Sequence, residues 1–403
     1  MRRAVGFLAR WLGRGSLLAA WLGMLAWLVG HAAGDRTLLL QYLNWVPTLA
    51  VIFGASALLI FAGVFFRAAR RSAWSLDAQA EPPPDPATWK GPCRRALALT
   101  RLGWLALFML VAWLVAVEWR IASAPRPGPA SRPFTLRTVF WNQSKDLAPD
   151  ASRWVSLVAA QDPDLVMLTD PPGAAVAGYP ALIDAMRPAP GAPMHSLSFL
   201  GFSVISRVPI LAWGGSSLGL KSSLGFDPRH WVTPKELWRD VPDPGRAMWL
   251  TLETTPILGK PITVWILDLP SDLGYPREQM MRDAAAAIAA FRGPMWVFDS
   301  RGAMTPSGSS TFPPADMMVG DFNTPRGARS LRHLTAMNGR SLEHGFDIAG
   351  RGHAASFPGR WLPLELWHID HGFVSPEIVT TRYTLVHTGI STHALQAMDV
   401  RAR

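Results

Sequence analysis

A single cysteine, Cys93, in 403 residues leaves no disulfide framework, and everything C-terminal to it lacks thiol chemistry. No internal repeat is evident, and no glycine-rich loop ends in the Lys-Ser or Lys-Thr of a phosphate-binding P-loop. His195, His230, His333, His344, His353 and His387 show no paired ligand spacing and are expected in loops or at the surface. A basic excess is also missing where a nucleic-acid binder would need one. The net charge is +10, but residues 1–118 hold 12 Lys/Arg against 5 Asp/Glu (+7), and residues 119–403 hold 27 against 24 (+3). The surplus belongs to the first part of the chain, so nucleic acid is not the favoured partner of the remainder.

What the chain has in abundance is apolar surface: 49% hydrophobic residues and 19 Trp, with the excess in the first third. Three apolar stretches, at about 16–33, 38–66 and 102–117, suit helices crossing a bilayer, which takes about 20 residues each. Arg2, Arg3, Arg10 and Arg14 precede the first; Arg67, Arg70, Arg71, Lys90, Arg94, Arg95 and Arg101 lie between the second and third. Only Gly34-Asp35-Arg36 separates the first two. The positive-inside rule then places the N-terminus and the Pro-rich loop at 81–84 in the cytoplasm, and the chain after the third span in the periplasm or outside the cell. The first segment also reads as a signal peptide, with small residues at Ala32 and Ala33; the two later spans would export the C-terminal part all the same. Trp21, Trp27 and Trp113 suit interfacial anchoring and helix packing. The spans carry almost no ionisable residue, which suits a passive anchor in a multi-pass membrane protein rather than an ion path.

Composition divides the chain into an anchor at 1–120, a Pro-rich spacer at 121–133 and a domain at 134–403. In the domain, short apolar runs at 134–141, 165–168, 202–206, 248–253, 262–267, 317–319, 371–374 and 394–400 predict strands. Residues 151–160 and 277–291 predict helices, and the Ser/Gly/Pro-rich stretch 300–314 predicts a flexible surface loop. Many strands with few intervening helices suit a two-sheet α/β sandwich better than a doubly wound parallel sheet. Trp231, Trp238 and Trp361 suit core or surface packing.

Chemistry-bearing residues fall at strand ends. Asn142 closes the first strand, and Asp170 follows Leu165-Val166-Met167-Leu168-Thr169. Asp268 sits in Ile266-Leu267-Asp268-Leu269-Pro270, Asp321 and Asn323 in Val319-Gly320-Asp321-Phe322-Asn323-Thr324-Pro325. Asp370 sits in His368-Ile369-Asp370-His371-Gly372, and His393 in Ser391-Thr392-His393. Spacing of two on a strand sends Asp321 and Asn323 to one side, where a carboxylate and a carboxamide can hold a water and an oxyanion. This ordered set resembles the endonuclease/exonuclease/phosphatase superfamily of type I deoxyribonucleases, AP endonucleases and neutral sphingomyelinases, over about 134–400. Gly201-Phe202-Ser203-Val204-Ile205-Ser206-Arg207-Val208-Pro209-Ile210 and Ala355-Ser356-Phe357-Pro358 resemble two further segments of that family.

The resemblance implies a four-layered α/β sandwich, two packed mixed sheets flanked by helices, here preceded by three transmembrane helices. It implies a phosphodiesterase or phosphatase dependent on Mg²⁺ or Mn²⁺, with an exported phosphoester substrate such as a lipid head group, a nucleotide or a nucleic acid. Within that scheme Asp170 and Asp268 are the metal ligands, and Asn142 and Asn323 hold phosphate oxygens and neighbouring carboxylates. Asp321 orients or deprotonates water, His393 meets the phosphate, and Asp370 accepts from His393. Three positions depart from the family pattern: Asp170 stands for Glu, Asp268 for a histidine, and Thr392 for the Asp of Ser-Asp-His. Those departures also suit a catalytically silent domain that binds a phosphorylated ligand or a protein. The bilayer is the other expected partner, and no protein partner is identifiable.

Overall fold

Inside a bilayer no water satisfies backbone groups, so an apolar run long enough to cross one closes its own hydrogen bonds as helix. The computed structural model describes residues 2–77, 86–121, 134–143, 151–171, 178–221, 244–298, 304–358 and 365–403. The expected loop at 81–84, the spacer at 122–133, His230, Trp231, Trp238 and Trp361 lie outside these. Two units are distinguished, Met1–Gly34 with Tyr42–Glu118, and Asp35–Gln41 with Trp119–Arg403.

The first unit is helical. Helix α1 covers Arg2–Ala33, α2 Leu38–Asn44, α3 Thr48–Asp77 and α4 Pro86–Trp113, the last running into a π-turn at Leu114–Glu118. Three segments, Ala4–Ala33, Thr48–Ala69 and Arg95–Glu118, are long and apolar enough to cross a membrane. The apolar stretch expected to run unbroken from 38 to 66 is instead interrupted between α2 and α3. Pro47 has no N–H and disfavours helical backbone at Val46 before it, so the helix restarts at Thr48. Leu17, Ala20, Met24 and Trp27 pack against Val51, Ala55, Leu59 and Ala62, with Leu107 and Leu110 beside them. Thr48 Oγ1 accepts from Trp27 Nε1 at 3.1 Å and donates to Glu118, which gives this acid a partner.

The second unit is built on two mixed sheets. One has six strands: β1 (Leu136–Asn142), β2 (Leu165–Thr169), β3 (His195–Phe199), β4 (Phe202–Ser206), β15 (Ile378–Val386) and β16 (Leu395–Ala402). Their order is β15-β16-β1-β2-β4-β3. The other has eight: β5 (Ile210–Ser217), β6 (Arg246–Leu252), β7 (Ile262–Asp268), β8 (Gly293–Phe298), β9 (Met304–Ser310), β10 (Met317–Asp321), β11 (Glu343–His344) and β14 (Asp370–Val374). Their order is β11-β14-β10-β7-β6-β5-β8-β9. A small pair, β12 (Phe357–Pro358) and β13 (Glu365–Trp367), stands apart. Residues 35–41 cluster with this unit, where Gln41 Oε1 accepts from the Arg277 N–H at 2.7 Å.

Alternation along the strands sorts side chains into layers. Leu136, Phe140, Leu165, Met167, Phe202 and Val204 of the first sheet meet Met248, Leu250, Ile262, Val264, Ile266, Met317 and Val319 of the second in one core. The opposite phase of the first sheet, with Val139, Trp141, Val166 and Leu168, packs on α5 (Ala151–Ala159) and α6 (Tyr179–Met186). The opposite phase of the second, with Trp249, Trp265, Leu267 and Met318, packs on Met280, Met281, Ala284 and Ile288 of α7 (Arg277–Ala290). Helix, sheet, sheet and helix make the expected four layers. One expectation is corrected: within 300–314, Met304–Ser310 is an edge strand paired with β8, not a loop. Its exposure on both faces hides the alternation, and Pro306 is tolerated there because an edge leaves N–H positions unpaired.

Gly320 lets β10 approach β7, since a Cβ there would collide with the Leu267 carbonyl. Ile266, fully buried between the sheets, is expected to cost about 2–5 kcal/mol when cut to Ala. Denaturant unfolding of the full chain in detergent, followed by tryptophan fluorescence, measures it.

Candidate active site

The phase that lines the sandwich core with Met, Leu, Val and Ile ends, at one edge, in polar residues. Asn142 follows Phe140 in phase on β1; Asp268 follows Ile266 on β7; Asp321 follows Val319 on β10; and Asp370 shares the phase of Val374 on β14. On β6, Arg246 is in phase with Met248 and Leu250. Strand register aligns four of them into one row. Arg246 pairs with Asp268, Asp268 with Asp321, and Asp321 with Asp370. Neighbouring strands stand about 4.8 Å apart, so three carboxylates are side by side with a guanidinium at one end.

His393 closes the other end. It sits two residues before β16, held by Trp141 Nε1 donating to its carbonyl at 2.9 Å and by Ser391 Oγ accepting from its N–H at 3.1 Å. Its Nδ1 donates to both oxygens of Asp370, at 3.0 and 2.9 Å, and lies 3.8 Å from Asp321 Oδ2. Burial alone would lower the pKa of this imidazole, but the charges of Asp370, Asp321 and Asp268 outweigh it and raise the pKa to about 9. His393 is therefore an imidazolium near neutral pH, with Nε2 as its remaining donor. Asp370 is fixed in turn by Ser356, whose hydroxyl donates to Oδ2 at 2.6 Å and accepts from the Ile369 and Asp370 N–H groups at 3.1 Å each.

Asp321 occupies the middle of the row. Burial, and then the neighbouring charge of Asp370, push its pKa well above the usual carboxylate range, with Asp268 adding to the effect. Opposing them are the charge of His393 and the Asn323 N–H, which donates to Oδ1 at 2.9 Å; Asn142 Nδ2 donates to Oδ2 at 2.9 Å. Asn323 has a left-handed backbone (φ 46°), and its side-chain amide donates to the Leu269 carbonyl at 2.8 Å. Asn142 thus holds a carboxylate, while Asn323 Nδ2 braces the loop after β7.

Asp170 arrives from the first sheet, one residue past β2, with a left-handed backbone (φ 47°) that turns its side chain toward the second sheet. Its Oδ1 accepts from Arg246 Nη2 at 2.7 Å, and the same nitrogen bonds Asp268 Oδ2. The seven residues singled out in the sequence therefore come to one edge, in two connected groups: Asn142, Asp321, Asn323, Asp370 and His393, and Asp170 with Asp268 around Arg246. The two carboxylates to which the resemblance gives a metal ion are bridged by a guanidinium of this chain. They do not fit a resident dication while Arg246 stands between them. Asp321, Asp370 and His393 also bring ligand atoms within 4.8 Å of one another, but the Nδ1 of His393 carries a proton.

Sequence patterns missed Arg246, a lone arginine before the apolar run Ala247-Met248-Trp249-Leu250; extending the core phase one step outward finds it. They also misplaced His344, expected at the surface and found buried beside His368 and His371. The Phe346 N–H donates to His344 Nδ1 at 3.1 Å, so His344 Nε2 carries the proton and donates to His371 Nδ1 at 2.9 Å. His371 Nε2 then donates to the Thr324 carbonyl at 2.8 Å. Burial holds all three rings neutral, that of His371 down to about 4. They brace β14 directly behind Asp370.

No family model matches the chain, and no curated protein does. Solved structures similar to it include an endonuclease/exonuclease/phosphatase from Beutenbergia cavernae DSM 12333, at 17% identity over 66% of this chain and 72% of that one, TM-score 0.41. Another, from Bacteroides vulgatus, is 15% identical over 67% of this chain and 99% of that one, TM-score 0.43. A third is the mannosyl-6-phosphatase of Bacteroides thetaiotaomicron, 14% identical over 66% and 99%, TM-score 0.41.

The raised pKa of His393 has a consequence for stability. Its contribution is fully present below the unfolded value of about 6.5 and is lost as pH rises through about 9. The unfolding midpoint of the wild type should therefore fall between pH 6.5 and 9, and Asp370→Asn should flatten that limb. Thermal unfolding across that pH range measures both.

Proposed function

We propose that the domain hydrolyses a phosphoester held over the row Asp268–Asp321–Asp370, with His393 as the charged donor and Asp321 as the base. The observation that carries this is the Asp370–His393 pair beside a buried carboxylate of raised pKa. Water oxygen attacks phosphorus as the bond to the leaving oxygen breaks. Asp321 takes the proton from the water, a role suited to a carboxylate made more basic than usual, and that proton returns to the leaving oxygen. The His393 Nε2–H donates to a phosphoryl oxygen as negative charge gathers there. Asn142 keeps the Asp321 carboxylate in place.

Tethering by apolar helices and a nearly neutral domain favour a small exported phosphoester, such as a lipid head group or nucleotide, over duplex DNA. The arginine distribution favours a cytoplasmic N-terminus and a periplasmic or extracellular domain. A second reading, a silent domain that binds a phosphorylated ligand, is favoured by the bridge from Arg246 to Asp170 and Asp268.

The test is hydrolysis of bis(p-nitrophenyl) phosphate and p-nitrophenyl phosphate by the full-length protein in detergent, in EDTA and in Mg²⁺ or Mn²⁺. Turnover that falls about 100- to 1000-fold in His393→Ala is expected, as for loss of one donor to a developing oxyanion. No turnover under any of these conditions gives the silent-binding reading. For topology, a reporter fused after Arg403 should be active only in its exported form; a cytoplasmic signal would reverse the orientation.

A further inference from the structure

The contacts of Arg246 come from both sheets. Asp170 approaches from the end of β2, at 2.7 Å from Nη2, and Asp268 from β7. Nη1 donates to the Leu200 carbonyl at 3.2 Å, and the guanidinium carbon lies 5.8 Å from the Phe202 ring. The backbone leaves room for it. Gly201 has φ 77°, and a Cβ there would collide with Nη1. The Gly201 carbonyl also accepts from the Asp170 N–H at 3.0 Å, so one glycine both admits the guanidinium and positions its acid. The Arg246 side chain keeps 18% of its surface exposed toward solvent.

We propose that Arg246 is the resident cation of this cleft, standing where Asp170 and Asp268 would otherwise hold a divalent metal ion. The three residues make sense as one substitution. Asp is one methylene shorter than the Glu of the resembled family, which withdraws a carboxylate and opens space for a guanidinium. Asp268, where that family has a histidine, adds a second acceptor. A dication at this point would need oxygens at about 2.0–2.1 Å, and the two that converge here, Asp170 Oδ1 and Asp268 Oδ2, are already taken by Arg246 Nη2. A guanidinium never loses its proton and presents several donors in a plane, so Nη2 serves both carboxylates while Nη1 serves the Leu200 carbonyl. The proposal concerns the same cleft as the hydrolase reading, but it stands on cation occupancy, so loss of one does not entail loss of the other.

Mn²⁺ binding to the full-length protein in detergent, by electron paramagnetic resonance and calorimetry, tests it without an activity assay. Wild type should show no Mn²⁺ site that depends on Asp170. Arg246→Met should open the two carboxylates and bind Mn²⁺ at least about 100-fold more tightly than wild type, the scale of one lost charge pair. Adding Asp170→Asn should abolish the gain. Gly201→Ala, which displaces the guanidinium without removing it, should give a smaller gain and serves where Arg246→Met does not fold. Wild-type binding that Asp170→Asn abolishes overturns the proposal. So does a failure of both variants to gain a site.

Discussion

Three carboxylates on adjacent strands repel one another, and the rest of the site is arranged around that repulsion. Asp268, Asp321 and Asp370 are register neighbours on β7, β10 and β14. At about 4.8 Å and an effective dielectric near 20, each adjacent ionised pair costs roughly 3–4 kcal/mol. Two cations of the chain itself offset this, Arg246 beside Asp268 and His393 beside Asp370. Asp321 is buried with a carboxylate on either side, and burial first, then those charges, raise its pKa. A carboxylate of raised pKa and a histidine protonated at neutral pH thus both follow from burying like charges side by side.

Such a row survives only on a rigid base. The apolar core between the sheets supplies it, because the polar row continues the phase of the side chains that fill that core. Behind Asp370 stand Ser356 and the neutral relay from His344 through His371 to Thr324. Behind His393 stands Trp141, whose indole N–H holds its carbonyl. Each fixes an orientation without adding charge, which a buried row of acids could not absorb.

Much of this was legible in local pattern. Central strands such as β2 and β7 are almost continuous apolar runs, and Asp268, Asp321 and Asp370 stand at the ends of β7, β10 and β14 where a polar side chain interrupts the run. Elements without that contrast were missed. β9 is exposed on both faces, and β3 alternates weakly, with only Leu197 fully buried. Pro47 was visible as a residue, but the apolar composition around it disguised the break in the helix.

Composition and periodicity therefore determined the apolar helices, the two-sheet class and the side on which the site residues point, because each follows from forces acting within a few residues of chain. Pairing decided the rest. Asp170 and Asp268 lie 76 and 22 positions from Arg246, and His344 lies 27 from His371. No local spacing reports such separations. Strand register sets the guanidinium against Asp268 and the packing of the two sheets brings Asp170 to it, so a carboxylate that looks like a metal ligand along the chain becomes, in the folded sandwich, half of an ion-paired bridge.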